Sequence, residues 1–105
     1  MTALPLVGFV ALSSALFAVG LFGILTRRNF ILILIAIEIA MNAAILNFVY
    51  FGAFSSGTGG LVGQEIAVVL IGFAATEVAV GLAIVLALNR LKGTINVAQA
   101  NELKL

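Results

Sequence analysis

Two glutamates lie inside long apolar stretches of the sequence, where carboxyl groups are rare. Glu38 has isoleucine and alanine on both sides, and Glu77 lies in a run of small and apolar residues. An ionised carboxylate at the centre of a bilayer costs about 3 kcal/mol or more, so hydrocarbon favours the protonated form. A carboxyl group that takes up and releases a proton inside a membrane is suited to a proton relay. Glu38 and Glu77 are therefore the predicted catalytic residues.

The remaining side chains exclude most other kinds of active site. The chain has 105 residues but no cysteine and no histidine, so disulfides, thiolate chemistry, iron–sulfur ligation and the usual zinc and haem sites are excluded. Its net charge is only +1 and its few basic residues form no patch, which argues against a nucleic-acid partner. We expect neither a metal ion nor a cofactor to be bound by this chain.

Composition places the chain among integral membrane proteins. Hydrophobic residues make up 64% of the sequence and charged residues 9%, against about half and about a quarter in soluble domains. Three apolar runs, at residues 4–25, 30–51 and 61–88, each reach the roughly 20 residues that cross the hydrocarbon core. The predicted fold is all-α, an integral membrane bundle of three transmembrane helices that forms one domain over residues 1–105.

The connections between the helices predict the orientation of the chain. The first connection, at 26–29, contains Arg27 and Arg28, whereas the second, at 52–60, is uncharged and rich in glycine and serine. Further basic residues follow the third run, before and within a polar tail at 93–105. Because basic residues are retained on the cytoplasmic side, we expect a cytoplasmic C-terminus and an N-terminus on the other side.

Both glutamates are predicted to lie near the middle of the membrane. Glu38 follows Arg28 by ten residues, about 15 Å along a helix, and Glu77 precedes Arg90 by thirteen, about 20 Å. Both depths fall near the middle of a hydrocarbon core about 30 Å thick. At an assumed separation of about 10 Å and an effective dielectric constant of about 20, their charges interact by about 1.7 kcal/mol, which couples their protonation. The chain has no basic residue at this depth, so any charge partner must come from another subunit.

Four other polar residues are predicted to support the glutamates or to anchor the chain. Asn42, four residues after Glu38 on the same helix face, either forms an interhelical hydrogen bond or orders a water for the carboxyl group. Glu65 is expected to complement the dipole at the start of the third helix and to reach the headgroups, with proton exit as the alternative. Arg27 and Arg28 either fix the topology or attract an acidic residue of a partner.

Smaller side chains carry two further expectations. Ser13 and Ser14 are predicted to hydrogen-bond backbone carbonyl groups one turn back along the first helix. Small residues surround Glu77 on the third helix and predict close helix packing; they are Gly72, Ala74, Ala75, Thr76, Ala79, Gly81 and Ala83.

Several segments resemble the NuoK family of respiratory complex I subunits. They are the Arg-Arg-Asn connection at 27–29, the segments 37–43 and 74–83 around the two glutamates, and the tail segments 95–97 and 102–104. Each segment alone is weakly specific, because membrane helices share a common composition. Their order, their spacing and the total length together make the resemblance specific, and it covers nearly the whole chain in one register.

The resemblance implies a place in the membrane arm of a proton-pumping NADH:quinone oxidoreductase, a large hetero-oligomeric complex in an energy-transducing membrane, here a bacterial or archaeal plasma membrane. In that family the acids matched by Glu38 and Glu77 belong to a polar axis through the membrane arm, and the first connection is basic. NADH, FMN, the iron–sulfur clusters and quinone are then expected on other subunits. Ala98 and Gln99 depart from the family pattern, because many relatives are acidic there, which leaves the contacts of the tail open.

Three other functions remain open. A small subunit of a multisubunit cation/proton antiporter has a similar size and span count, but no residue equivalent to Glu38 is expected there. A small multidrug transporter has an essential membrane glutamate in the first of four helices, whereas the first run here contains no acid. A purely structural anchor does not require two acids in the middle of the membrane.

Overall fold

Three α-helices make up the chain in a computed structural model that describes residues 3–54, 58–92 and 97. They are α1, Ala3–Thr26; α2, Phe30–Phe54; and α3, Thr58–Lys92. All three are long and apolar enough to cross a membrane. With 35 residues α3 is about 52 Å long, so it extends beyond a hydrocarbon core of about 30 Å. The predicted all-α fold of three membrane-spanning helices is confirmed.

The helices lie side by side with α2 in the middle, and α1 and α3 have few contacts within the described residues. Each helix is apolar around its whole circumference, so large side chains such as Leu25 and Leu91 are 81% and 74% exposed. In water this surface would be a severe liability, whereas lipid or partner helices can cover it. Within the described residues, α2 is the only helix that packs against neighbours on two sides.

Small residues bring α1 and α2 close together. A side chain on Gly20 would come within 2.8 Å of the Ala36 carbonyl oxygen and of Ala40, so only glycine fits there. Toward the other end of the interface, the rings of Phe9 and Tyr50 stack with their centroids 4.5 Å apart. These contacts fix an antiparallel register in which the start of α1 lies beside the end of α2.

The second connection is shorter than the sequence predicted. Gly52 was assigned to a loop at 52–60, but α2 continues to Phe54 and α3 begins at Thr58. Gly52 is buried, and a Cβ added to Gly63 would lie 2.7 Å from the Cα atom of Gly52. The physical reason for the error is that glycine marks both turns and close helix crossings, and here it serves the crossing.

The first connection contains a helix cap that the sequence reasoning overlooked. Asn29 Oδ1 accepts hydrogen bonds from the backbone N–H groups of Ile31, at 2.9 Å, and Leu32, at 3.4 Å. Asparagine is one of the preferred N-cap residues because its side chain satisfies amide groups that have no partner in the first turn. Arg27 and Arg28 precede this cap and are exposed.

One residue of the tail, Val97, contacts the first connection. The backbone N–H of Val97 donates a 2.7 Å hydrogen bond to the carbonyl oxygen of Arg28. Arg90 and Lys92 in the last turn of α3 lie toward this end of the molecule as well. The basic residues of the described chain therefore gather at one end, referred to below as the basic end. The rest of the predicted tail at 93–105 lies outside the described residues.

The serine prediction holds for one of the two residues. Ser13 is buried, and its hydroxyl group donates to the Val10 carbonyl oxygen at 3.1 Å. Ser14 is exposed, and no such bond is found for it within the described residues.

Candidate functional site

Glu38 lies on the side of α2 that packs against α3. Leu34, one turn earlier on that face, contacts Gly81 of α3, and Ile45, two turns later, is buried. Glu38 itself is half-buried, and its Oε1 atom is buried without a hydrogen-bond partner. A buried acceptor without a donor is costly, and a buried charge without a partner costs more. The Oε1 atom of Glu38 therefore lacks the donor that a buried acceptor needs, and the described residues do not supply one.

Glu77 lies level with Glu38 across the interface of α2 and α3. Leu34 of α2 contacts Gly81 of α3, and eighteen residues further along α2, Gly52 contacts Gly63 of α3. The two contacts belong to one antiparallel register. Four residues forward from Leu34 lead to Glu38, and four residues back from Gly81 lead to Glu77. Because both helices rise about 1.5 Å per residue, the two acids share one level, as their distances from the basic residues predicted.

Glu77 faces the outside of the chain, in contrast to Glu38. Its side chain is exposed at the edge of the interface, beside an open groove of about 450 Å³. The residues that line this groove are Leu34, Phe73, Thr76, Glu77, Val80, Gly81 and Ile84. The Thr76 hydroxyl group donates to the Gly72 carbonyl oxygen at 2.9 Å, so the Glu77 carboxyl group is the main polar feature of the groove. Below, these residues are called the Glu77 groove.

Asn42 lies one turn beyond Glu38, but it does not join the helices of this chain. It is exposed, and within the described residues it forms no hydrogen bond. Both predicted roles, an interhelical bond and an ordered water, therefore remain predictions that need a group from outside the chain.

Glu65 lies two turns inside α3, because the helix begins at Thr58 rather than near residue 61. The helix dipole acts mainly on the first turn, which contains no acidic residue, so the dipole part of the prediction is wrong. Glu65 is exposed, and its contact with headgroups remains a prediction. The structure does not bring Glu65 to the level of the glutamate pair, since it lies twelve residues, about 18 Å, from Glu77 along α3.

Two residues of α2 did not stand out in the sequence. Asn47 faces α1, on the side of the helix away from Glu38, and its Oδ1 atom is buried without a partner among the described residues. Leu34 contacts Gly81 and also lines the Glu77 groove. No signal in the sequence marks Leu34, because it is one of several alternating leucines and isoleucines. Among the described residues, no three His, Cys, Asp or Glu side chains come together as metal ligands would.

Known proteins resemble this chain from end to end. The family described as NADH-ubiquinone/plastoquinone oxidoreductase chain 4L matches residues 8–105. NADH-quinone oxidoreductase subunit K 1 of Symbiobacterium thermophilum is 47% identical over 105 residues, covering 100% of both chains. Subunit K of the same enzyme is 42% identical in Bacillus anthracis, over 99% of both chains, and 42% identical in Desulfitobacterium hafniense, over 91% of both. These matches confirm the resemblance found in the sequence: the chain belongs to the NADH-ubiquinone/plastoquinone oxidoreductase chain 4L family.

Proposed function

We propose that this chain is a proton-translocating subunit of the membrane arm of an NADH:quinone oxidoreductase, in which Glu38 and Glu77 relay protons during redox-driven pumping. The observation that carries the proposal is the placement of the two acids at one level on adjacent helices. The relatives, whose names assign them to NADH-quinone oxidoreductase, favour this assembly over an antiporter or a multidrug transporter. NADH, FMN, iron–sulfur clusters and quinone belong to other subunits in this proposal.

The different surroundings of the two carboxyl groups suit a relay. Glu77 opens to its groove, so it can exchange a proton with a neighbouring subunit or with water there. Glu38 is half-buried on the side of α2 that faces α3, and its Oε1 atom lacks a donor within the described residues, so a group that donates to it must come from outside them. Two acids at one depth also discourage each other's ionisation, so removal of a proton from one favours its retention by the other. A change of charge in an adjacent subunit then shifts protons between them.

The orientation follows from the basic end of the molecule. Arg27 and Arg28 lie in the first connection, and Arg90 and Lys92 lie in the last turn of α3, at the same end of the molecule. Under the positive-inside rule this end faces the cytoplasm, and the N-terminus lies on the other side of a bacterial or archaeal plasma membrane. The two arginines act as topological anchors in this arrangement.

Replacement of each acid by its amide tests the proposal. Glu38→Gln and Glu77→Gln keep the shape of the side chain but remove its exchangeable carboxyl proton. The assembled complex carrying each variant is reconstituted into liposomes, and proton uptake is measured together with quinone reduction. We expect both variants to lose most of the pumping, whereas Glu102→Gln, the same change beyond the end of α3, serves as the matched control and keeps it. Full pumping and full quinone reduction in both glutamate variants would rule out the relay.

A further inference from the structure

A single leucine fills the space between the two helices just beside the glutamate pair. Leu34 lies one turn before Glu38, and Gly81 lies one turn after Glu77. A Cβ added to Gly81 would lie 2.8 Å from Leu34 Cδ1 and 3.1 Å from Cδ2. The end of the leucine side chain therefore occupies the volume that a side chain at position 81 would take.

This contact lies between the acids and the basic end of the molecule. Leu34 is in the second turn of α2, which starts directly after the arginine-containing connection. One turn further toward the same end of α3, Val85 is only 5% exposed, so the buried part of the interface stays apolar beyond the leucine. Leu34 is also part of the wall of the Glu77 groove, which is open sideways. The surroundings of the acids are thus apolar along the interface and open laterally.

We propose that Leu34, seated on Gly81, is an apolar seal that keeps water from reaching the glutamate pair along the interface from the basic end. The inference rests on the proposed relay, because a seal has a function only if protons move through the pair. The Leu34 side chain has no exchangeable proton, so it acts as a positioning residue that directs proton exchange through the Glu77 groove.

The physical basis is the space and the polar partners that water requires. A buried water needs about 10–15 Å³ of free volume and two to four hydrogen-bonding groups, and an isobutyl side chain packed onto a glycine provides neither. Protons do not cross such a gap without water or a titratable group. Removal of the leucine, or its displacement, should therefore open a path that bypasses the controlled route.

The first test replaces Leu34 with asparagine, which has the same branched skeleton but is smaller and offers hydrogen bonds to water. In liposomes containing the assembled complex, we expect quinone reduction to continue while protons pumped per electron fall by about twofold or more. Passive proton permeability without substrate should rise. Ile35→Asn, on the adjacent and 49% exposed residue, is the control for a polar group at the same depth. Leu34→Met keeps an apolar side chain and should pump normally. Normal coupling and no passive leak in Leu34→Asn would overturn the proposal.

A second pair of variants reaches the same contact without adding polarity, in case the asparagine variant does not assemble. Leu34→Ala removes the side-chain end that fills the space at Gly81, whereas Ile35→Ala shortens the adjacent, 49% exposed residue in the same way. We expect a leak from the former and none from the latter. Equal coupling in both would also contradict the seal.

A double variant separates this inference from the relay itself. If Leu34→Asn opens a path to the pair, Glu77→Gln in the same chain should suppress the passive leak, whereas a leak that persists shows that Leu34 does not guard the acids. If Leu34→Asn is fully coupled while Glu77→Gln alone stops pumping, the seal is wrong and the relay stands. If Glu77→Gln alone pumps normally, the relay fails.

Discussion

Adding one methyl group where α2 and α3 cross should separate the helices measurably. In Gly63→Ala the new Cβ would lie 2.7 Å from Gly52 Cα, 3.1 Å from its N atom and 3.2 Å from the Phe48 carbonyl oxygen. Carbon atoms in contact normally stay about 3.5–4.0 Å apart, so the helices must separate locally by about 1 Å. All three neighbours are backbone atoms, which cannot rotate away as a side chain would.

The size of the effect follows from a comparison with a second glycine on the same helix. Overpacking of this kind costs about 1–3 kcal/mol. Alanine also favours helix over glycine by about 0.8–1.0 kcal/mol, which offsets part of that cost. Gly72→Ala brings the same gain in propensity, and nothing lies within 4 Å of its Cβ. The difference in unfolding free energy between the two variants should therefore equal the cost of the clash, about 1–3 kcal/mol.

The chain has no native cysteine, so introduced cysteines can be labelled specifically for the measurement. Dyes on Ile31→Cys and Leu91→Cys, two exposed positions at the basic end, report the separation of α2 and α3 by energy transfer. The labelled chain in detergent micelles is titrated with SDS until the helices dissociate. If Gly63→Ala and Gly72→Ala dissociate at the same SDS fraction, the crossing is not as tight as the contacts indicate.

Three further substitutions should behave predictably in the same titration, with the dyes moved to the α1–α2 pair where needed. Gly20→Ala should weaken the α1–α2 contact by about 1–3 kcal/mol, because its Cβ would lie 2.8 Å from backbone atoms, whereas Gly8→Ala has open space and should not; equal midpoints would contradict this. Asn29→Ala should cost about 1 kcal/mol through loss of the α2 cap, and Asn29→Asp should retain stability; a neutral alanine variant would show that the cap contributes nothing. Asn47→Leu removes a buried amide oxygen without a partner, so stability should be unchanged or higher; a clear loss would reveal a hydrogen bond that the described residues do not contain.

The sequence predicts the helices and the shared level of the two acids well, because both depend on one-dimensional features. Continuous apolar runs identify the spans, and counting residues from Arg28 and Arg90 places Glu38 and Glu77 at similar depths. Helix ends are less predictable, since a helix continues into polar or glycine-containing residues as long as packing supports it. Gly52 illustrates this, because its contact across the interface appears only when two helices are placed together.

The directions in which the acids face could not be predicted for a physical reason. A soluble helix shows its buried side as an apolar stripe, but these helices are apolar all round and have no such stripe. The periodicity therefore does not reveal that Glu38 faces α3 while Glu77 lies at an outer edge. For the same reason Leu34 is indistinguishable in sequence from its apolar neighbours, and only its contact with Gly81 sets it apart.

The order of the helices limits how a proton path can continue. α2 has a neighbour on each side, so Glu38 is reached mainly through the interface with α3. α3 is an outer helix, and Glu77 opens away from the chain at the same level. In the proposed relay, a path through the pair therefore leaves this chain along the membrane plane, at the Glu77 groove, rather than toward either surface. If the proposed relay continues into a neighbouring subunit here, that subunit must supply the next protonatable group or a chain of water molecules, because the rest of the groove is largely apolar.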